Sequence, residues 1–150
     1  MYVNLLLSLP LLIMEKTMGL DQYGGWLETP SKEEELHAKL INSEEEFVEC
    51  KFDWRKHAKL QEFMENLWFN KYENTGEFNC VNMSLDREDI LALQTAVKGK
   101  QLPESGGGLF FGDEFQNQSA EQYKDYDLEF CAKALKWLDE GKTPYYSCWW

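Results

Sequence analysis

Apolar residues recur along the chain with two periods, and each period predicts a different element. Leu60, Phe63, Met64, Leu67 and Trp68 fall at i, i+3, i+4, i+7 and i+8, the stripe of one buried helix face. This predicts a helix from about Trp54 to Tyr72, with Asp53 as N-cap and Asn74–Gly76 as the stop. Ile90, Leu93 and Val97 predict a second helix over Arg87–Lys98. Asp86 can cap it, Leu85 and Ile90 can form a hydrophobic staple, and Gly99 suits the position after its end. A third helix is predicted from about Ala120 to Glu140. Asp127, Cys131, Ala134 and Leu138 share one line on it, with Phe130 and Leu135 beside them. Ser119 and Gln122 are spaced as a capping box, and Gly141 and Pro144 supply the stop.

Short extended runs separate these helices. Gly19–Leu27, Phe47–Phe52, Phe78–Met83, Leu109–Phe111 and Tyr145–Trp149 are each bounded by turn or cap residues. Val81, Met83 and Leu85 alternate with Cys80, Asn82 and Ser84, as in a half-buried strand. Helices and strands mix without regular βαβ spacing. The predicted fold is therefore α+β, a small, mainly antiparallel sheet packed by about three helices. Thr29–Glu46 is polar and Glu-rich and reads as a surface loop with a weak helical turn or two.

Trp149 and Trp150 close the sequence. Leaving such side chains in water forfeits roughly 1.5–3 kcal/mol each. The C-terminus is therefore expected to be tied down as a strand beside Gly19–Leu27. The alternative is an exposed aromatic contact surface.

Composition narrows the function classes. The 150 residues suit one domain, and 43% hydrophobic residues suffice for a core. A formal net charge of −12 disfavours general nucleic-acid binding. Cys50, Cys80, Cys131 and Cys148 form no CxxC pair, and His37 and His57 are the only histidines. No metal or cofactor is therefore expected, and unpaired thiols point to the cytoplasm. The apolar run Leu5–Met14 is about half the roughly 20 residues needed to span a bilayer. It also lacks the basic flank and cleavage site of a secretory signal, so no membrane association is expected. Residues 1–17 read as an extension or a mis-called start, with the single α+β domain over residues 18–150 beginning at Met18.

Six separated segments carry a resemblance. They are MGLDQY at 18–23, WRKHAKLQEFMENLW at 54–68, FN at 78–79, LPESGGGLFFGD at 102–113, DLEF at 127–130 and YYSCWW at 145–150. In this order the chain resembles a family of small tailed-phage proteins of unresolved function. The resemblance covers about residues 18–150 and implies the host-cell cytoplasm as the place of action. Some members are labelled phosphoglycerate kinase, an enzyme of two large lobes around a cleft, for which this chain is too short. It has no Walker A pattern either. The family supplies no catalytic residues.

Chemistry is most strongly suggested by FDWRKH, Phe52–His57. It would place Arg55, Lys56 and His57 in the first turn of the first helix, where basic side chains oppose the helix dipole. The functional reading is an anion pocket. Backbone N–H groups and Arg55 would hold a phosphate or carboxylate, Trp54 would stack on a base, and His57 would serve as a neutral base. Asp113 could orient Arg55 or the ligand. On the structural alternative Arg55 pairs with an acid such as Asp113 or Asp127, and Trp54 fills the core. SGGGLFFGDE leads into a strand-like run and not into a helix, so it reads as a loop and a short strand more readily than as a phosphate cradle. Spacing gives no support to Cys148 as a nucleophile paired with His57. Three functions follow in order. The first is non-catalytic binding of an anionic small ligand such as a nucleotide, with Trp54, Arg55, Lys56, His57 and Asp113 as the site. The second is a protein-interaction module acting on a host factor during infection. The third is a small hydrolase-like enzyme using His57.

Overall fold

The computed structural model describes residues 19–28, 48–72 and 77–150. The expectations for residues 1–17, Met18, the Thr29–Glu46 loop and the Asn74–Gly76 stop lie outside the described residues. The fold is α+β. Strands β1 (Asp21–Leu27), β2 (Val48–Arg55), β3 (Asn82–Ser84) and β4 (Thr143–Trp149) form an antiparallel sheet in the order β2-β1-β4-β3. Helices α1 (Ala58–Lys71), α2 (Arg87–Lys98) and α3 (Gln116–Asp139) accompany it. The C-terminal run pairs with the MGLD-derived strand along its length, from Asp21 opposite Trp149 to Leu27 opposite Thr143.

The register sets the core. Gln22, Gly24, Trp54, Tyr146, Cys148 and Met83 are cross-strand partners that share one sheet face. Phe52 and Trp54 from that face meet Phe130 of α3 edge to face, with ring centroids 5.3 Å apart in both pairs. Such quadrupole-favoured contacts add to the burial of large rings. Between Gly24 and Gly25 the pairing jumps from Phe52 to Cys50, so Lys51 is an extra residue, a β-bulge.

The first helix begins at Ala58 and not near Trp54, and Asp53 lies inside β2. Period-two burial prevails here: Phe52 and Trp54 are buried while Asp53 is exposed. The outward backbone N–H groups of this edge strand are satisfied from α3. Tyr126 Oη accepts from Asp53 N–H and Tyr123 Oη from Arg55 N–H, each at 3.0 Å. Hydroxyls placed this way occupy an edge that would otherwise be free to pair. Lys56 then takes a positive φ of 54°, turning the chain from strand into helix. Ala58, Leu60, Gln61, Met64 and Trp68 are the buried positions of α1, so its inner face is rotated towards Gln61, and Phe63 and Leu67 are half-buried.

Helix α2 has the predicted bounds. Asp86 accepts from Asp89 N–H, and the Asp89 carboxylate accepts from Asp86 N–H, a reciprocal capping box. Leu85 and Ile90 are both buried. Gly99 ends the helix with a negative φ, and the left-handed residue is Lys100. Replacing Asp86 with alanine should cost about 1 kcal/mol. Urea denaturation followed by circular dichroism reads this directly, and an unchanged midpoint would remove the cap from the account. Helix α3 starts at Gln116, four residues before the expected start, so Ser119 sits within it and caps nothing. Its buried face is Asp127, Phe130, Cys131, Ala134 and Trp137, and Gly141 at φ 83° follows its end.

Candidate functional site

Trp54 and His57 of the WRKH segment are buried inside the fold, while Arg55 and Lys56 are half-buried. Asp127, on the apolar line of α3, accepts from Trp54 Nε1 at 2.8 Å through Oδ1. Its Oδ2 lies 2.7 Å from His57 Nε2. With Asp127 as the acceptor, as it is for Trp54, His57 donates from Nε2. Both side chains are fully buried, Tyr123 stacks on the imidazole at 5.0 Å, and among the described residues His57 Nδ1 has no hydrogen-bond partner. Gln22 brackets the same residue: its Oε1 accepts from His57 N–H and its Nε2 donates to His57 C=O. From Gln22 the hydrogen bonds run on through Tyr146 Oη to Gln61, and from Gln61 to Glu65 and Cys148 Sγ.

The five expected site residues therefore do not converge. Trp54 and His57 meet on Asp127, and Arg55 pairs with Asp21 at 2.6 Å. Arg55 takes neither Asp113 nor Asp127 as its partner in that bond. Arg55, Lys56 and His57 precede α1, so they do not form its first turn and face no dipole penalty there. Asp113 sits elsewhere, accepting from Ser105 Oγ and from Gly108 N–H, both at 2.7 Å. Its partners make it a loop clamp and not an orienter of Arg55. Cys148 touches Gln61 and Phe78, not His57, and burial pushes its thiol up to about 12.

Leu109–Phe111 is a single turn of 3₁₀ helix and not a strand. Gly108 at φ 91° and Gly112 at φ 82° flank it, conformations open to glycine and closed to a strand. At Gly107 a Cβ would stand 2.1 Å from the Phe111 ring, so only glycine lets that ring seat. The Asp113 clamp and the Ser105–Gln116 hydrogen bond fix the loop. Leu20 N–H donating to Phe110 C=O ties it to the start of β1.

This loop forms one wall of a cavity of about 710 Å³. Gly106, Gly107, Phe110 and Phe111 come from the loop, Glu62 and Glu65 from α1, and Trp150 from the C-terminus. Trp150 is held by Asn79, which accepts from its N–H and donates to its C=O, and its Nε1 donates to Phe78 C=O. Phe111 meets the Trp150 ring edge to face at 5.5 Å. Among the described residues no cation pairs with Glu62 or Glu65. Burial raises the Glu65 carboxyl above its ordinary range, the Gln61 hydrogen bond opposes the shift, and the neighbouring Glu62 charge adds to it.

That shift has a stability consequence. The folded state holds the Glu65 proton more tightly than the unfolded chain. Its ionisation therefore weakens folding as pH rises from about 4.5, the ordinary value, through the raised folded value. Glu65→Gln, which keeps an acceptor for Gln61, should be more stable than the parent at pH 7. The advantage should shrink as pH falls from the raised folded value towards 4.5 and be gone below it. Denaturation midpoints at pH 7 and pH 4 measure it, and a Gln variant less stable at pH 7 would contradict it.

A smaller cavity of about 210 Å³ lies between α1, α3 and the end of α2, with Lys59, Lys100 and Lys124 in its lining. Lys100 reaches Glu121 at 3.4 Å across its exposed rim. Sequence reading missed both cavities. Glu62 and Glu65 look like ordinary polar-face residues of α1, and only the tertiary fold sets Trp150 opposite them. Asp127 did leave a trace, as a carboxylate on an otherwise apolar stripe. Among the described residues no helix is long and apolar enough to cross a membrane. Comparison of the chain with protein-family models, with curated proteins and with solved structures finds no match.

Proposed function

We propose that the protein is a non-catalytic interaction module that docks a host protein through its Gly-rich loop. One observation carries this reading. Leu109, Phe110 and Phe115 are 68%, 48% and 56% exposed on a loop clamped by Asp113, beside an aromatic cavity. Apolar side chains held rigid in water are pre-organised for a partner, because little ordering remains to be done on binding. The resemblance to small tailed-phage proteins makes a host protein the expected partner, and four free cysteines suit the reducing host cytoplasm. A hydrolase-like role for His57 has little support, since its side chain is fully buried beside Asp127. The test is affinity capture from host lysate with the parent chain and with Leu109→Ser/Phe110→Ser. A stoichiometric partner lost in the variant supports the reading. No stoichiometric partner, or one retained equally, counts against it.

A second reading, binding of a small anion, is favoured by the three ammonium groups around the 210 Å³ cavity. It differs from the anion pocket expected at Arg55 and His57, and phosphate titration with Lys59→Gln/Lys124→Gln as control tests it.

A further inference from the structure

We propose, resting on the docking reading above, that the cavity beside the Gly-rich loop receives a basic side chain of the partner, a lysine or arginine flanked by an apolar residue. The lining has two chemistries in one space. Phe110, Phe111 and Trp150 offer aromatic surface, and Glu62 and Glu65 offer two carboxylates without a cation among the described residues. A long basic side chain matches both. Its methylene stem lies along apolar surface, its head meets carboxylates, and a cation is attracted to an aromatic face.

The geometry also excludes alternatives. A carboxylate or phosphate entering here would meet Glu62 and Glu65 with no compensating cation among the described lining residues. A wholly apolar occupant would bury Glu65 further without a partner, which is costly. The volume, about 710 Å³, exceeds one side chain and leaves room for the flanking apolar residue. The Gln61 amide donates to Glu65 at 3.2 Å, and Gln61 is itself fixed by Tyr146 Oη at 2.7 Å. The carboxylate is thus oriented by a buried chain before any ligand arrives.

The test uses the full chain, ¹⁵N-labelled, and two probes. One is the N-acetylated, C-amidated tripeptide leucine–arginine–phenylalanine. The other is the same peptide with citrulline, which keeps the shape and removes the charge. The arginine peptide should shift the Trp150 indole N–H signal and bind about tenfold tighter than the citrulline peptide, the scale of a charge-assisted hydrogen bond. Glu62→Gln/Glu65→Gln should abolish that preference while its other amide signals stay in place. Equal binding of the two peptides, binding of neither, or a preference that survives in the double variant overturns the proposal. The docking reading fails separately, when Leu109→Ser/Phe110→Ser still captures the partner. Partner loss in that variant without any charge preference removes the basic side chain alone.

Discussion

Asp127→Ala is expected to lower folding stability by about 3–5 kcal/mol, the usual cost of removing one member of a buried ion pair or polar network. The residue is fully buried and serves two donors at once, Trp54 Nε1 and His57 Nε2. Truncation strands both, and neither can reach water without opening the interface between α3 and β2. Asp127→Asn should cost less. Its carbonyl can still accept from Trp54, while its NH₂ group faces His57 and forces the imidazole to accept through Nε2. Urea denaturation followed by tryptophan fluorescence distinguishes the two. A loss below about 1 kcal/mol for alanine would place Asp127 among ordinary surface carboxylates.

Gly25→Ala is the second large effect. An added Cβ would lie 1.8 Å from the Glu49 carbonyl oxygen at the bulge between β1 and β2. The obstacle is backbone, so no rotamer change relieves it, and the strands must part. Overpacking costs typically 1–3 kcal/mol, and this site belongs at or above the upper end. Gly106→Ala is the matched control, because an added Cβ there meets nothing within 4 Å. Thermal melts should separate the pair by about 10 °C or more for a domain of this size. Equal melts would mean that the bulge does not hold β2 in register.

The two substitutions also mark where the sequence could be read and where it could not. The bounds, N-cap and staple of helix α2 were legible because they and the apolar period are local, whereas the left-handed residue after it is Lys100 and not Gly99. The pairing of the C-terminal strand with β1 was anticipated from the cost of leaving tryptophans in water, yet only Trp150 is partly covered and Trp149 stays 54% exposed. FDWRKH was ambiguous, since it fits both a helix start and the end of a strand. Tyrosine hydroxyls decide for the strand from Tyr123 and Tyr126, about 70 residues away in sequence. The same long-range choice removed the basic first turn on which an anion pocket at Arg55 and His57 depended. Leu109–Phe111 looked like a strand by composition, and only the positive φ of its flanking glycines and the Asp113 clamp make it a turn. The cavity was not legible at all. It joins a helix polar face, a glycine loop and a chain end, and none of these declares the others.

We propose that the Gly-rich loop, and not the WRKH segment, meets a host partner. Photo-cross-linking in host cells tests it most directly, with benzoylphenylalanine placed at position 110 in one chain and at position 55 in another. A discrete covalent adduct from position 110 and none from position 55 is the predicted result. An adduct from position 55 alone would contradict it.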